Sequence, residues 1–303
     1  MRRGIQRLGL LARVSDGFWR SPSYLRVALM AAPVLWMTLI FLAPLLLLVL
    51  SSVQSDSQIP VSAEAFHAAL SGAGGQAASR ALVMGIAVTL LSILIAFPVS
   101  YYAARYARGW LKTTLQIGVM MPLWSSLIAK IYAWRLMLED GGAISNVLES
   151  LGLSGLVGAF LKVPGVGGED ILHSQLAVLA VFTYAWLPIM IVTIWAALER
   201  FPASMIEASS DMGASALQTF RHVILPTAMP GILAGSIFTF SLTFGDFLVP
   251  RVLQSAELYL GQAVLQEALG GQLGIAAALA VVPLILTLLH IWLSNRSGGL
   301  RAF

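Results

Sequence analysis

Apolar residues in this chain come in long runs separated by short polar segments. This is neither the alternation of a half-buried strand nor the one-sided stripe of a soluble helix. The runs fall at roughly 28–53, 80–104, 114–138, 175–198, 228–250 and 274–294. Each reaches the ~20 residues that a helix needs to cross hydrocarbon. Such runs predict spanning helices, because only a helix satisfies its whole backbone within one segment in lipid. The fold class expected is therefore an all-α integral membrane protein with six transmembrane helices, which returns both ends of the chain to one side. The first run is longer than the ~7–15 residues of a signal-peptide core, and no small-residue cleavage site follows it, so it is expected to stay as a span.

Composition agrees with the pattern. Of 303 residues, 58% are hydrophobic and 11% charged, against about a quarter charged in soluble domains. One soluble core cannot hide that much apolar surface. Cysteine is absent, which removes disulfides, thiolate metal sites and cysteine nucleophiles. The net charge of +4 is placed as membrane topology and not as a nucleic-acid surface. Residues 1–27 carry Arg2, Arg3, Arg7, Arg13, Arg20 and Arg26 against Asp16 alone; Arg105, Arg108 and Lys112 follow the second run, and Arg296 and Arg301 the sixth. The other connections hold Asp56 and Glu64, then Glu139, Asp140, Glu149, Glu169 and Asp170, then Glu257 and Glu267, with Lys162 and Arg251 as their main basic residues. Basic loops stay in the cytoplasm, so both termini and residues 199–227 are expected inside.

The domain reading that follows is a basic arm over 1–27, a six-helix domain over 28–295 and a tail over 296–303. Along the arm, Ile5, Leu8, Leu11 or Ala12, and Phe18 with Trp19 fall near helical spacing. An interfacial amphipathic helix and a plain basic tail both fit. The glycine-rich connection 139–174 is expected to hold a short helix on the outer surface.

No phosphate-cradling Gly-x-x-x-x-Gly-Lys-Ser/Thr, His-Glu-x-x-His or Gly-x-Ser-x-Gly occurs, and His67, His173, His222 and His290 lack metal spacing. The chain is not expected to be an enzyme or to hold a metal or cofactor. A lone His290 in an apolar run suits a hydrogen-bonded packing residue. The feature built for a soluble partner is the polar insert Glu207-Ala208-Ser209-Ser210-Asp211-Met212-Gly213, followed by Val223, Leu225 and Pro226. A short helix is expected over 206–216. Glu207 suits its N-terminal dipole, Ala208 and Ser209 flatten its face, Gly213 admits a close backbone, and Leu225-Pro226 ends the insert.

Charges inside the runs cost several kcal/mol unless they face protein or water. Asp246 is therefore either a substrate-facing carboxylate or half of a structural ion pair with Lys130 or Arg135. Tyr132, Trp134, Tyr184 and Trp186 either present ring faces to a cation in transit or pack the helices. Pro188 and Pro283 are expected bends, and Gly231-Ile232-Leu233-Ala234-Gly235 a close-packing face.

The spacing of the insert resembles the cytoplasmic loop of ABC importer permeases: Glu-Ala-Ala, three residues, Gly, nine residues, a β-branched apolar residue, any residue, Leu-Pro. Glu207, Ala208, Gly213, Leu225 and Pro226 match, Val223 stands for Ile, and Ser209 replaces the second Ala. Lys130-Ile131-Tyr132-Ala133-Trp134, Tyr184 to Pro188, and Leu242-Thr243-Phe244-Gly245-Asp246-Phe247 extend the likeness toward the polyamine (spermidine/putrescine) permeases. The resemblance implies a type I (MetI-like) fold, a second permease as heterodimer partner, two ATPase subunits that carry ATP and Mg, and a solute-binding protein outside. It places the chain in a bacterial inner membrane, with Asp246 and the four aromatics in the pathway. Importers of opines, thiamine, aminophosphonates or ferric ion remain alternatives. An ion-coupled secondary transporter would want paired broken helices or repeats, and the sequence displays no duplication.

Overall fold

The computed structural model describes residues 23–53, 64–163, 170–200, 202 and 204–296. Most of the basic arm, with Asp56, Glu169 and Arg301, lies outside the described residues. All regular elements among them are helical. The chain divides into two units, Met1–Ser51 and Ser52–Phe303. The first is built on α1, Ser23–Val53, which runs unbroken through Pro33 and Pro44.

The second unit begins with α2, Glu64–Leu70, and α3, Ala73–Arg105. The run expected as one third span is instead two helices, α4 (Gly109–Trp124) and α5 (Leu127–Leu138), and the chain bends by 95° between α4 and the stretch Leu127–Ser150. Among the described residues of the connection 139–174 are two short helices, α6 (Ala143–Ser150) and α7 (Ser154–Leu161). The fourth span is α8, Gln175–Glu199. The polar insert forms α9, Ser204–Asp211, and α10, Ala216–Thr219. A π-turn over Phe220–Ile224 then leads into α11, Leu225–Phe244. Short α12 (Leu248–Val252), α13 (Leu260–Leu269) and the last span α14 (Leu273–Arg296) complete the chain. Among the described residues, five helices are long and apolar enough to cross a membrane, or six when the bent pair counts as one.

Two of the expected spans are therefore broken. The helices carrying Pro188 and Pro283 are continuous; the breaks fall at Ser125-Ser126 and at residues 245–247. Proline within a helix of a bundle is tolerated when neighbours and side chains recover the freed carbonyls.

The bundle of α3, α8 and α11 is the centre of this unit. One cluster of buried side chains, including Met190, Ile194, Trp195 and Leu198 with Ala228 and Ile232, fills it toward the insert. A second, including Val88, Phe182, Phe244, Ile131 and Leu279, fills the opposite end. Lipid tails are as apolar as leucine, so close fit and interhelical hydrogen bonds hold such helices together, each bond worth about 0.6 kcal/mol. Gly231 and Gly235 supply the fit. A Cβ on Gly231 would collide with the Thr193 carbonyl oxygen, and one on Gly235 would lie 2.6 Å from Met190 Sδ. The small-residue face of α11 thus packs on α8 of the same chain. Ser100 Oγ donates to the Ile191 carbonyl at 2.9 Å, and Ser241 and Thr287 share a bond of 3.0 Å. His290 Nε2 lies 3.1 Å from Ser236 Oγ, and its ring stands edge-on to Phe240, the packing role expected of it.

Candidate functional site

The polar insert is held by a set of local devices. Helix α9 carries Glu207 in its first turn, where a carboxylate complements the N-terminal dipole. Its last turn closes as a Schellman motif: Gly213 N–H donates to Ser210 O at 2.9 Å and Ala214 N–H to Ser209 O at 3.1 Å. That closure needs a left-handed residue, and Gly213 supplies it with φ 79. The helix thus stops at Asp211 and does not run on to 216. Space around Gly213 is open, with nothing within 4 Å of a built Cβ. Its conformation, and not a close approach within the chain, is what calls for glycine.

Ser209 differs from expectation as well. It does not flatten an outer face; it is 4% exposed, and its Oγ shares a 2.9 Å hydrogen bond with Thr219 Oγ1. This ties α9 to α10, while Ile206 packs into the cluster around Ile194 and Leu198. Glu207, Ala208, Ser210 and Asp211 remain exposed, as do Met212 at 82% and Leu217 at 75%. Sequence reading passed over Ser215 and Gln218, although Ser-x-x-Gln is a capping-box pattern. Gln218 N–H donates to Ser215 Oγ at 3.4 Å and Ser215 N–H to Gln218 Oε1 at 2.8 Å.

Leu225-Pro226 does not end the insert. The chain passes through it into α11 by the π-turn, in which Leu225 N–H reaches back to Phe220 O. Proline has no N–H to give and crowds the carbonyl four residues back. A widened turn before it absorbs that conflict. Helix α10, the π-turn and α11 therefore follow one another without a break. At the same end, Lys112 on α4 pairs with Glu199 at the end of α8.

The charges expected inside the spans sit at helix ends. Asp246 lies in the break after α11, where Oδ1 accepts from Leu248 N–H at 2.7 Å and Val249 N–H at 2.9 Å. It caps α12. Arg135 on α5 donates from Nη1 to Val252 O at 3.1 Å, at the other end of that helix, and from Nε to Glu139 Oε1 at 3.1 Å. Lys130 donates from Nζ to Pro122 O at 3.0 Å, bridging the break between α4 and α5. Neither cation forms an ion pair with Asp246 among the described residues. Orphaned groups at broken helix ends need partners in lipid, and these side chains provide them. Gly261 on α13 adds a contact the sequence did not signal. A Cβ there would stand 2.7 Å from the Gly245 carbonyl oxygen and the Asp246 carbonyl carbon.

Of the four aromatics, Trp134 and Tyr184 meet, with ring centroids 5.5 Å apart. Tyr132 is half exposed. Trp186 packs on the buried cluster around Phe182, and its buried indole N–H has no acceptor among the described residues. No group of three or more His, Cys, Asp or Glu that could hold a metal occurs among the described residues.

Residues 96–297 match the family of binding-protein-dependent transport system inner membrane components. The chain belongs to that family. The match takes in α8, the insert, both breaks and α14. Over 299 residues the chain is 41% identical to the inner membrane ABC transporter permease protein YdcU of Escherichia coli (strain K12), covering 96% of each. It is 27% identical over 230 residues to the spermidine/putrescine transport system permease protein PotB of Haemophilus influenzae (strain ATCC 51907 / DSM 11121 / KW20 / Rd), covering 74% of this chain and 76% of that one. The crystal structure of a bacterial ABC transporter involved in import of the acidic polysaccharide alginate shares the fold, with TM-score 0.63 at 17% identity over 94% of this chain and 99% of that one. This inner membrane component is a transport subunit, not an enzyme, and ATP hydrolysis belongs to a separate ATPase.

Proposed function

We propose that this chain forms, with a second and similar permease, the pathway of an ATP-driven importer for a small cationic solute, a polyamine such as putrescine or spermidine. The exposed helix Ser204–Asp211, tied to α10 through Ser209 and packed on the bundle through Ile206, carries the reading. It docks on one of two ATPase subunits, and its displacement passes along the continuous path from α10 through the π-turn into α11. A rigid-body shift of those elements opens the spans to alternate sides. Both termini and the 199–227 loop are cytoplasmic in this reading, on the distribution of basic residues. A solute-binding protein delivers solute to the opposite face.

Polyamine as cargo is supported by PotB among the relatives and by an intramembrane carboxylate whose Oδ1 alone is engaged by the backbone. Asp246 Oδ2 and the Trp134–Tyr184 pair offer an ammonium one charge and ring faces. The reconstituted complex with its binding protein tests both halves. Putrescine and spermidine are expected to stimulate ATP hydrolysis, and Glu207→Ala to abolish that stimulation without loss of membrane insertion. Stimulation confined to thiamine, an opine or an aminophosphonate would discard the polyamine; undiminished stimulation in Glu207→Ala would discard the docking helix.

A further inference from the structure

A cavity of about 440 Å³ opens between α3 and α8, at the end of the bundle away from the insert. Its polar end is made by Ser79, Arg80, Gln175 and Glu257. Arg80 Nη2 and Glu257 Oε2 are 2.8 Å apart there, with side chains 34% and 36% exposed. Below them the walls are Val83, Met84, Ala87 and Leu179. From Arg80 to Ala87 the groove follows α3 for about 10 Å at 1.5 Å per residue.

We infer that this groove binds one phospholipid with a zwitterionic, amine-bearing headgroup, phosphatidylethanolamine. The ion pair presents both signs of charge at the mouth. One guanidinium nitrogen is engaged with Glu257, and the remaining N–H groups of the planar fork suit a phosphate oxygen. The second carboxylate oxygen of Glu257 faces the ammonium that follows the phosphate in such a headgroup. An acyl chain then runs down the apolar walls toward the middle of the membrane. A soluble solute would leave that apolar length uncovered, and a lipid with only a phosphate would leave Glu257 facing a like charge.

The complex containing this chain, purified in mild detergent and exchanged separately with dioleoyl phosphatidylethanolamine and dioleoyl phosphatidylglycerol, is read by native mass spectrometry. One phosphatidylethanolamine is expected to remain bound to this chain in preference to phosphatidylglycerol. The double change Arg80→Gln with Glu257→Gln removes charge-assisted bonds and is expected to reduce retention about tenfold. Val83→Trp fills the apolar half from an exposed position and is expected to reduce it as far with the ion pair intact. A photoreactive residue at 83 is expected to label lipid. Absence of retained lipid, phosphatidylglycerol retained equally or better, indifference to either variant, or labelling of a protein in place of lipid overturns the assignment.

Discussion

Asp246 and Arg135 hold opposite ends of one five-residue helix. Asp246 accepts the first free N–H groups of Leu248–Val252, and Arg135, from a different broken span, donates to the carbonyl of Val252. Lys130 does the same service at Pro122. Three charged side chains in apolar runs thus serve helix ends at the two breaks, and α5 and α12, the pieces that follow the breaks, pack together.

Asp246 can be both a cap and a solute contact, and two substitutions separate the roles. Asp246→Asn keeps an oxygen for both N–H groups, so its thermal unfolding in nanodiscs is expected to stay close to that of the parent. Its solute-stimulated ATP hydrolysis is expected to fall at least tenfold through loss of the charge. Asp246→Ala removes the cap, at a cost of about 1 kcal/mol, and is expected to lower the unfolding temperature as well. Full stimulation in the Asn variant would leave Asp246 a cap alone.

Gly261→Ala is expected to destabilise the protein by about 1–3 kcal/mol, because its methyl must displace backbone at residues 245–246. Gly155→Ala, within α7 and with nothing near a built Cβ, is the control. It is expected to be neutral or slightly stabilising. Thermal unfolding of the two variants side by side checks the contrast.

Gly213 holds a left-handed turn in open space, so tolerance of that backbone conformation, and not side-chain volume, should rank its substitutions. Asn, which tolerates that region, is expected to retain ATPase stimulation. Val is expected to lose most of it, since a β-branched residue is strained there. Equal loss in Asn and Val variants of unchanged stability would move the role of Gly213 to a contact with the ATPase.

Ser209→Ala leaves the buried Thr219 hydroxyl without its partner and is expected to cost about 1–3 kcal/mol in local stability. The double change Ser209→Ala with Thr219→Val removes both hydroxyls and is expected to recover most of that loss. Hydrogen exchange of the amides in Ser204–Asp211 reads the effect where it acts. Independent, additive effects of the two changes would show that the bond does not clamp the insert.

Hydropathy runs were sufficient to find an all-helical membrane bundle, because a span must be long and apolar whatever it packs against. The motif residues Glu207, Gly213 and Pro226 were legible through spacing. The physical work of Gly213 and Pro226 was not: one closes a Schellman turn, and the other follows a π-turn that carries the chain into α11. Nor was the work of Ser209, because a buried hydroxyl pair depends on which helices return to meet.

The breaks at Ser125-Ser126 and at residues 245–247 lie inside runs that stay apolar on both sides, so periodicity passed straight through them. Length and composition decided that helices would cross the membrane. Tertiary structure alone decided where two of them stop. An orphaned helix end in lipid is tolerable only where another element brings a partner, and Arg135 reaches Val252 across 117 positions of sequence.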